Sequence, residues 1–123
     1  MSATLRADAE ALFVEASRQM QAGEAGAEAG FRRALALAPD LAEAWVNLGL
    51  LLEGRGEPGF AEICYRQAIE HERSLVQAWL NLGALLTQTR RLAEAEEACR
   101  RALELAPHSP AGWINLGVLE ACR

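Results

Sequence analysis

The sequence predicts an all-α chain of about seven helices, paired antiparallel and stacked as an α-solenoid. Three observations predict it. Trp45, Trp79 and Trp113, the three tryptophans of the chain, stand 34 residues apart, and so do Asn47, Asn81 and Asn115, and Gly49, Gly83 and Gly117. A second set recurs between them: Ala27, Phe31 and Ala34, then Ala61, Tyr65 and Ala68, then Ala95, Cys99 and Ala102. The composition, rich in Ala and Leu with few β-branched residues, favours helix over sheet. A period of this length is the mark of a repeat architecture, in which each unit hides its apolar face only by stacking on the next.

Trp, then Leu three later and Gly four later, fall on one face of a helix. The small residue admits a second helix closely. The Ala–bulky–Ala spacing of four and three gives that second helix a single apolar face. Helices are expected near residues 5–21, 25–37, 41–54, 59–71, 75–88, 92–105 and 109–121. The chain then divides into an N-terminal arm with an atypical first repeat (1–40), a second repeat (41–74), a third (75–108), and the first helix of an incomplete fourth (109–123). In the atypical repeat Leu12 and Ala16 take the Trp and Gly places. Asp40 with Glu43, and Ser74 with Gln77, read as capping boxes for the third and fifth helices. Ser109 before Pro110 reads as a cap with a first-turn proline for the seventh.

The formal charge is −5, and all twelve basic residues are Arg. Phosphate neutralisation needs a basic footprint, so nucleic acid is not the expected ligand. The pairs Arg32-Arg33, Arg90-Arg91 and Arg100-Arg101 are interleaved with Glu and read as solvated helix faces. The first residues do not read as a signal peptide. The longest apolar run, Leu48 to Leu52, is far short of the roughly 20 residues that span a bilayer. Neither a membrane nor a small-molecule substrate is expected, and a cytoplasmic location is the default. Cys64, Cys99 and Cys122 are widely spaced without a Cys-x-x-Cys, so zinc and disulfide readings are weak. Cys64 and Cys99 fit better as small buried side chains. His71 and His108 have no catalytic company. No phosphate loop, metalloprotease motif or serine elbow occurs. The expectation is therefore no enzyme, no cofactor and no metal.

The pattern resembles the tetratricopeptide repeat (TPR) family over about residues 8 to 123. The Asn-Leu-Gly strings are most similar to those in the repeats of O-linked N-acetylglucosamine transferases. The resemblance implies a right-handed superhelix of helix pairs whose first helices line a concave groove that holds a peptide or a segment of another protein. On those helices Trp, Leu and Gly serve packing. The groove is then expected to present Val46, Asn47, Leu50 and Glu53, then Leu80, Asn81, Ala84 and Thr87, then Ile114, Asn115, Val118 and Ala121. Asn costs a helix interior roughly 0.5 kcal/mol relative to Ala, so three in register ask for a reason. Their amides suit either a ladder holding a peptide backbone or bonds to neighbouring helices. Family members that clamp chaperone carboxylate tails carry Lys or Arg in the groove. Val46, Leu50, Leu80 and Ala84 stand there instead, which disfavours that role.

The seventh helix is apolar on more than one side. Trp113 and Gly117 are expected to pack on the preceding hairpin, and Leu116 and Leu119 to await a following helix. Either the chain is a fragment of a longer protein, such as a transferase-like enzyme, or Leu116 and Leu119 form a self-association edge and the chain is a homo-oligomer. A protein-interaction module binding a peptide is the leading expectation.

Overall fold

A computed structural model describes residues 3–123, and within them seven α-helices and no strand. They are α1 (Ala3–Ala22), α2 (Ala27–Leu37), α3 (Ala42–Gly54), α4 (Pro58–His71), α5 (Val76–Gln88), α6 (Leu92–Leu105) and α7 (Pro110–Ala121). Each expected helix is present, with ends displaced by two residues at most.

The chain forms two compact units, Met1–His71 and Glu72–Arg123. In the first, α1 pairs with α2 and α3 with α4, while α3 lies against α2 and reaches α1. In the second, α5 pairs with α6, and α7 lies against both.

The pairing is set by small residues on first helices. A Cβ added to Gly49 would stand 2.6 Å from the ring of Tyr65, and one on Gly83 would stand 3.2 Å from Cys99 Sγ. In these two hairpins the glycine receives the bulky member of the Ala–bulky–Ala set sixteen residues later. In the first hairpin the small residue sits on both sides: a Cβ on Gly30 would lie 2.8 Å from that of Ala16. The three Ala–bulky–Ala faces are buried throughout, and Phe13 stacks obliquely on Phe31 with ring centroids 5.9 Å apart. Cys64 and Cys99 are buried free thiols, and burial pushes both above the ordinary thiol range.

Each tryptophan makes a bond that periodicity alone does not reveal. The indole Nε1–H of Trp45 donates to the carbonyl of Pro39, that of Trp79 to Arg73, and that of Trp113 to Pro107, all at 2.8 Å. The partner lies six residues earlier each time. The bond ties a first helix to the segment leading into it, and satisfies a donor the ring would otherwise carry half-buried.

The helix starts correct two expectations. Neither Asp40 nor Ser74 caps a helix: the cap positions of α3 and α5 are Leu41 and Leu75, without a side-chain bond. Asp40 accepts from Arg6 instead, at 2.5 Å. Ser109 does cap α7, accepting from the Gly112 amide at 3.2 Å, with Pro110 following. The repeat explains the difference. Ser109 is 34 residues from Leu75 and 68 from Leu41, so the cap register carries a hydroxyl once and leucine twice. The hairpin turns share a left-handed residue, Gly56 (φ 77°) in the second and Arg90 (φ 64°) in the third. At Arg90 the side chain makes that conformation cost about 1 kcal/mol.

Tyr65, the single tyrosine, is fully buried and donates its hydroxyl to Glu53 at 2.7 Å. Burial first, then the hydrogen bond and the charge of Glu53, raise its phenol well above the ordinary value. A group whose pKa is higher folded than unfolded stabilises the fold below its unfolded pKa, near ~10, and that contribution drains away as pH rises above it. In alkaline titration, phenolate absorbance should therefore appear together with loss of helical circular dichroism. Phenolate appearing with the helices intact would show Tyr65 to be accessible.

Glycine substitutions separate close approach from helix propensity. Gly49→Ala should lower unfolding stability by about 1–3 kcal/mol through overpacking against Tyr65. Gly117 has nothing within 4 Å of an added Cβ, so Gly117→Ala should raise stability by about 0.5–1 kcal/mol. Chemical denaturation of both variants checks the pair, and equal effects would contradict the packing described.

Candidate interaction surface

The first-helix residues expected to line a groove fall into two groups. Val46, Leu80 and Thr87 are buried, at 3%, 8% and 4% exposure, and offer nothing to a ligand. Leu80 lies on α5, along which α7 packs, and the Thr87 hydroxyl is turned back onto the Gly83 carbonyl at 2.8 Å. Asn47, Leu50 and Glu53 on α3, Asn81 and Ala84 on α5, and Asn115 on α7 are half-buried. Ile114 and Val118 are open, at 64% and 52% exposure, and Ala121 is exposed. Glu53 is occupied by the Tyr65 hydroxyl.

The three asparagines are in register but not in the same state. Asn115 Nδ2 donates to the Leu80 carbonyl at 3.0 Å, a tie from α7 to the backbone of α5. Asn47 Nδ2 reaches Ser17 Oγ on α1 at 3.5 Å. Asn81 accepts from Gln77 through its oxygen at 3.1 Å, while its buried Nδ2 has no acceptor. At Asn115 the amide thus serves helix stacking, with its oxygen left for other uses.

α3, α5 and α7 contain no Arg, Lys or His. Their exposed and half-buried faces are apolar or amide-bearing, with Glu43, Glu53 and Glu120 the only charged side chains on them. The arginines of α6 and of the chain end are tied down: Arg100 to Glu97 and Glu104, Arg101 to Glu97, Arg123 to Glu96. The Arg100 hydrogen bond holds the Glu97 carboxyl below its ordinary range. Among the described residues no group of three His, Cys, Asp or Glu is placed to hold a metal ion, and no helix is long and apolar enough to cross a membrane.

α7 departs most from expectation. Leu119 is fully buried on the side facing the α5–α6 hairpin, so it is not part of an open edge. Trp113, expected to be packed, is 56% exposed, and Gly117 faces open space. Gly112 makes the close approach instead: a Cβ there would stand 2.8 Å from Leu103 Cδ2 on α6. The sequence held the signal for this. Gly117 matches Gly49 and Gly83, whose contacts lie in the second helix of their own hairpin, not in the hairpin before. Phe60 and Ile63 on α4 are a further exposed apolar pair, at 60% and 56%. Sequence reading passed over them, although Glu94 and Glu97 stand at the matching places of α6.

Comparison with known proteins agrees with this anatomy. The tetratricopeptide repeat description matches residues 42–73 and, through a second profile, residues 76–109. No curated protein matches the chain. Among solved structures, the TPR domain of Arabidopsis OM64 superposes with a TM-score of 0.89 at 19% identity, covering 95% of this chain and 98% of that one. The first TPR of Spaghetti (RPAP3), solved bound to the HSP90 peptide SRMEEVD, gives 0.87 at 20% identity, covering 93% and 91%. The Yersinia enterocolitica type III secretion chaperone SycD, solved with a peptide of the translocator YopD, gives 0.83 at 24% identity, covering 99% and 94%. At these identities the likeness is one of fold, the TPR α-solenoid. With two repeat matches that together span more than half of its residues, each on a hairpin built around a glycine and its bulky mate, the chain belongs to the tetratricopeptide repeat family.

Proposed function

We propose that the chain is a protein-interaction module that takes a peptide or an extended protein segment on first-helix faces, foremost those of α5 and α7 in the second unit. The observation that carries the reading is the character of those faces. Leu50 on α3, Ala84 on α5, and Ile114 and Val118 on α7 keep apolar surface in reach of a ligand, each with an asparagine beside it. Apolar side chains supply affinity, and amide oxygens accept from a peptide N–H without regard to its side chain. Two of the structural relatives were solved with bound peptides, which supports a peptide as the ligand class.

The ligand differs in chemistry from an acidic chaperone tail. A terminal carboxylate calls for Arg or Lys on the binding face, and α3, α5 and α7 have neither. An apolar or neutral segment suits them better. The likeness to O-linked N-acetylglucosamine transferase repeats rests on the Asn-Leu-Gly strings, while the structural relatives named above are other TPR proteins.

Selection from a random peptide display library tests the reading. The full chain should enrich apolar, weakly charged peptides. The double variant Ala84→Arg/Ile114→Arg, within the second unit, should lose at least about tenfold in affinity for them, with circular dichroism unchanged. No enrichment, or equal binding by the variant, would refute the assignment.

A further inference from the structure

One row of residues on α4 differs from its counterparts in the other hairpins. Residues three apart on a helix form an inclined ridge. On α4 that ridge reads Glu57, Phe60, Ile63, Arg66, and all four are exposed. Glu57 stands just before Pro58, the first residue of the helix, and its carbonyl accepts from the Ala61 amide at 3.1 Å, so it holds the first place in the row. The whole row lies in the first compact unit.

The repeat does not ask for this row. At the matching places, 34 residues on, stand Arg91, Glu94, Glu97 and Arg100. Their charges are satisfied within the chain, Arg91 by Glu94 at 2.9 Å and Arg100 by Glu97. At the matching places of the first hairpin stand Gly23, Gly26, Ala29 and Arg32. A hairpin of this kind therefore packs with glutamates, or with almost no side chain, where α4 has Phe60 and Ile63. Two adjacent large apolar side chains, 60% and 56% exposed and without a packing duty, mark a contact surface.

The order acid, apolar, apolar, base identifies the occupant. Laid antiparallel on itself, the row sets Phe60 on Ile63 and Ile63 on Phe60, and at each end it brings a carboxylate to a guanidinium. A contact about a two-fold axis must be self-complementary in this way. We propose that two copies of the chain pair through α4, about a two-fold axis between Phe60 and Ile63, with Glu57 of each copy facing Arg66 of the other. Within its own helix Arg66 also pairs with Glu62 at 2.9 Å, which holds the guanidinium beside the apolar pair. Ridges of this pitch cross steeply, so the contact is smaller than the roughly 1,200 Å² at which stable interfaces begin. The dimer is accordingly a weak one that forms at high protein concentration.

Sedimentation equilibrium of the full chain over roughly 10 μM to 1 mM should show a reversible monomer–dimer transition. Phe60→Glu/Ile63→Glu gives α4 the residues with which α6 already folds. It should weaken the dimer at least about tenfold, with circular dichroism unchanged. Glu57→Arg and Arg66→Glu should each weaken it when alone, because each sets like charges face to face. An equimolar mixture of these two single variants should recover the dimer, because in the mixed pair every Arg again faces a Glu. A fold defect within one chain does not produce that recovery. A chain that stays monomeric over the whole range, a dimer that survives Phe60→Glu/Ile63→Glu, or a mixture that associates no better than its components overturns the proposal. Ala84→Arg/Ile114→Arg should leave the dimer intact, so this surface and the peptide-binding faces succeed or fail separately.

Discussion

The close approach of two helices at a residue with little or no side chain is the constraint on which the rest of the structure depends. Gly49 beneath Tyr65 and Gly83 beneath Cys99 let the backbones of a hairpin come near enough for alanines on the second helix to be fully buried. Without that approach, Ala61, Ala68, Ala95 and Ala102 would lie over voids, and interiors do not tolerate voids cheaply. Glycine in a helix interior is otherwise unfavourable by up to about 1 kcal/mol. Its recurrence marks where packing outweighs propensity.

The cost is recovered locally and differently in each hairpin. Tyr65 fills its site with a ring and sends a hydroxyl to Glu53. Cys99 fills the equivalent site with a single sulfur, and Gly83 accordingly has more room than Gly49. The indole bonds to the residues before each first helix add a fixed tether, repeated three times with the same length. Stability built from such local units suits a repeat protein, where each element needs only its neighbours. It also leaves parts of the first helices, such as Leu50, Ala84, Ile114 and Val118, outside the buried core.

Much of this was legible in the residues. The spacing of Trp, Asn and Gly gave the helices, their pairing and the buried Ala–bulky–Ala faces, because equivalent packing demands equivalent side chains. The caps were misread by one residue because Asp40 and Ser74 look right locally, while the repeat register points to Leu41 and Leu75. The candidate surface was legible only in part. A helix wheel separates packed from unpacked sides within one hairpin but does not show which side the next first helix covers. Leu80 and Ile114 thus looked alike, though one is buried and the other open. Leu119 and Gly117 exchanged roles for the same reason. The tie from Asn115 to the Leu80 carbonyl lies between residues 35 apart and has no signature short of the folded geometry.

The account predicts that Gly49 and Tyr65 are energetically one unit, and a double-mutant cycle measures this directly. Gly49→Ala, Tyr65→Cys and the double variant would be compared by urea denaturation, Cys being the residue that Gly83 already accommodates. Relief of the added methyl by the smaller partner should give a coupling energy of at least about 1 kcal/mol. Additive effects, within about 0.3 kcal/mol, would mean that the close approach does not hold the hairpin together.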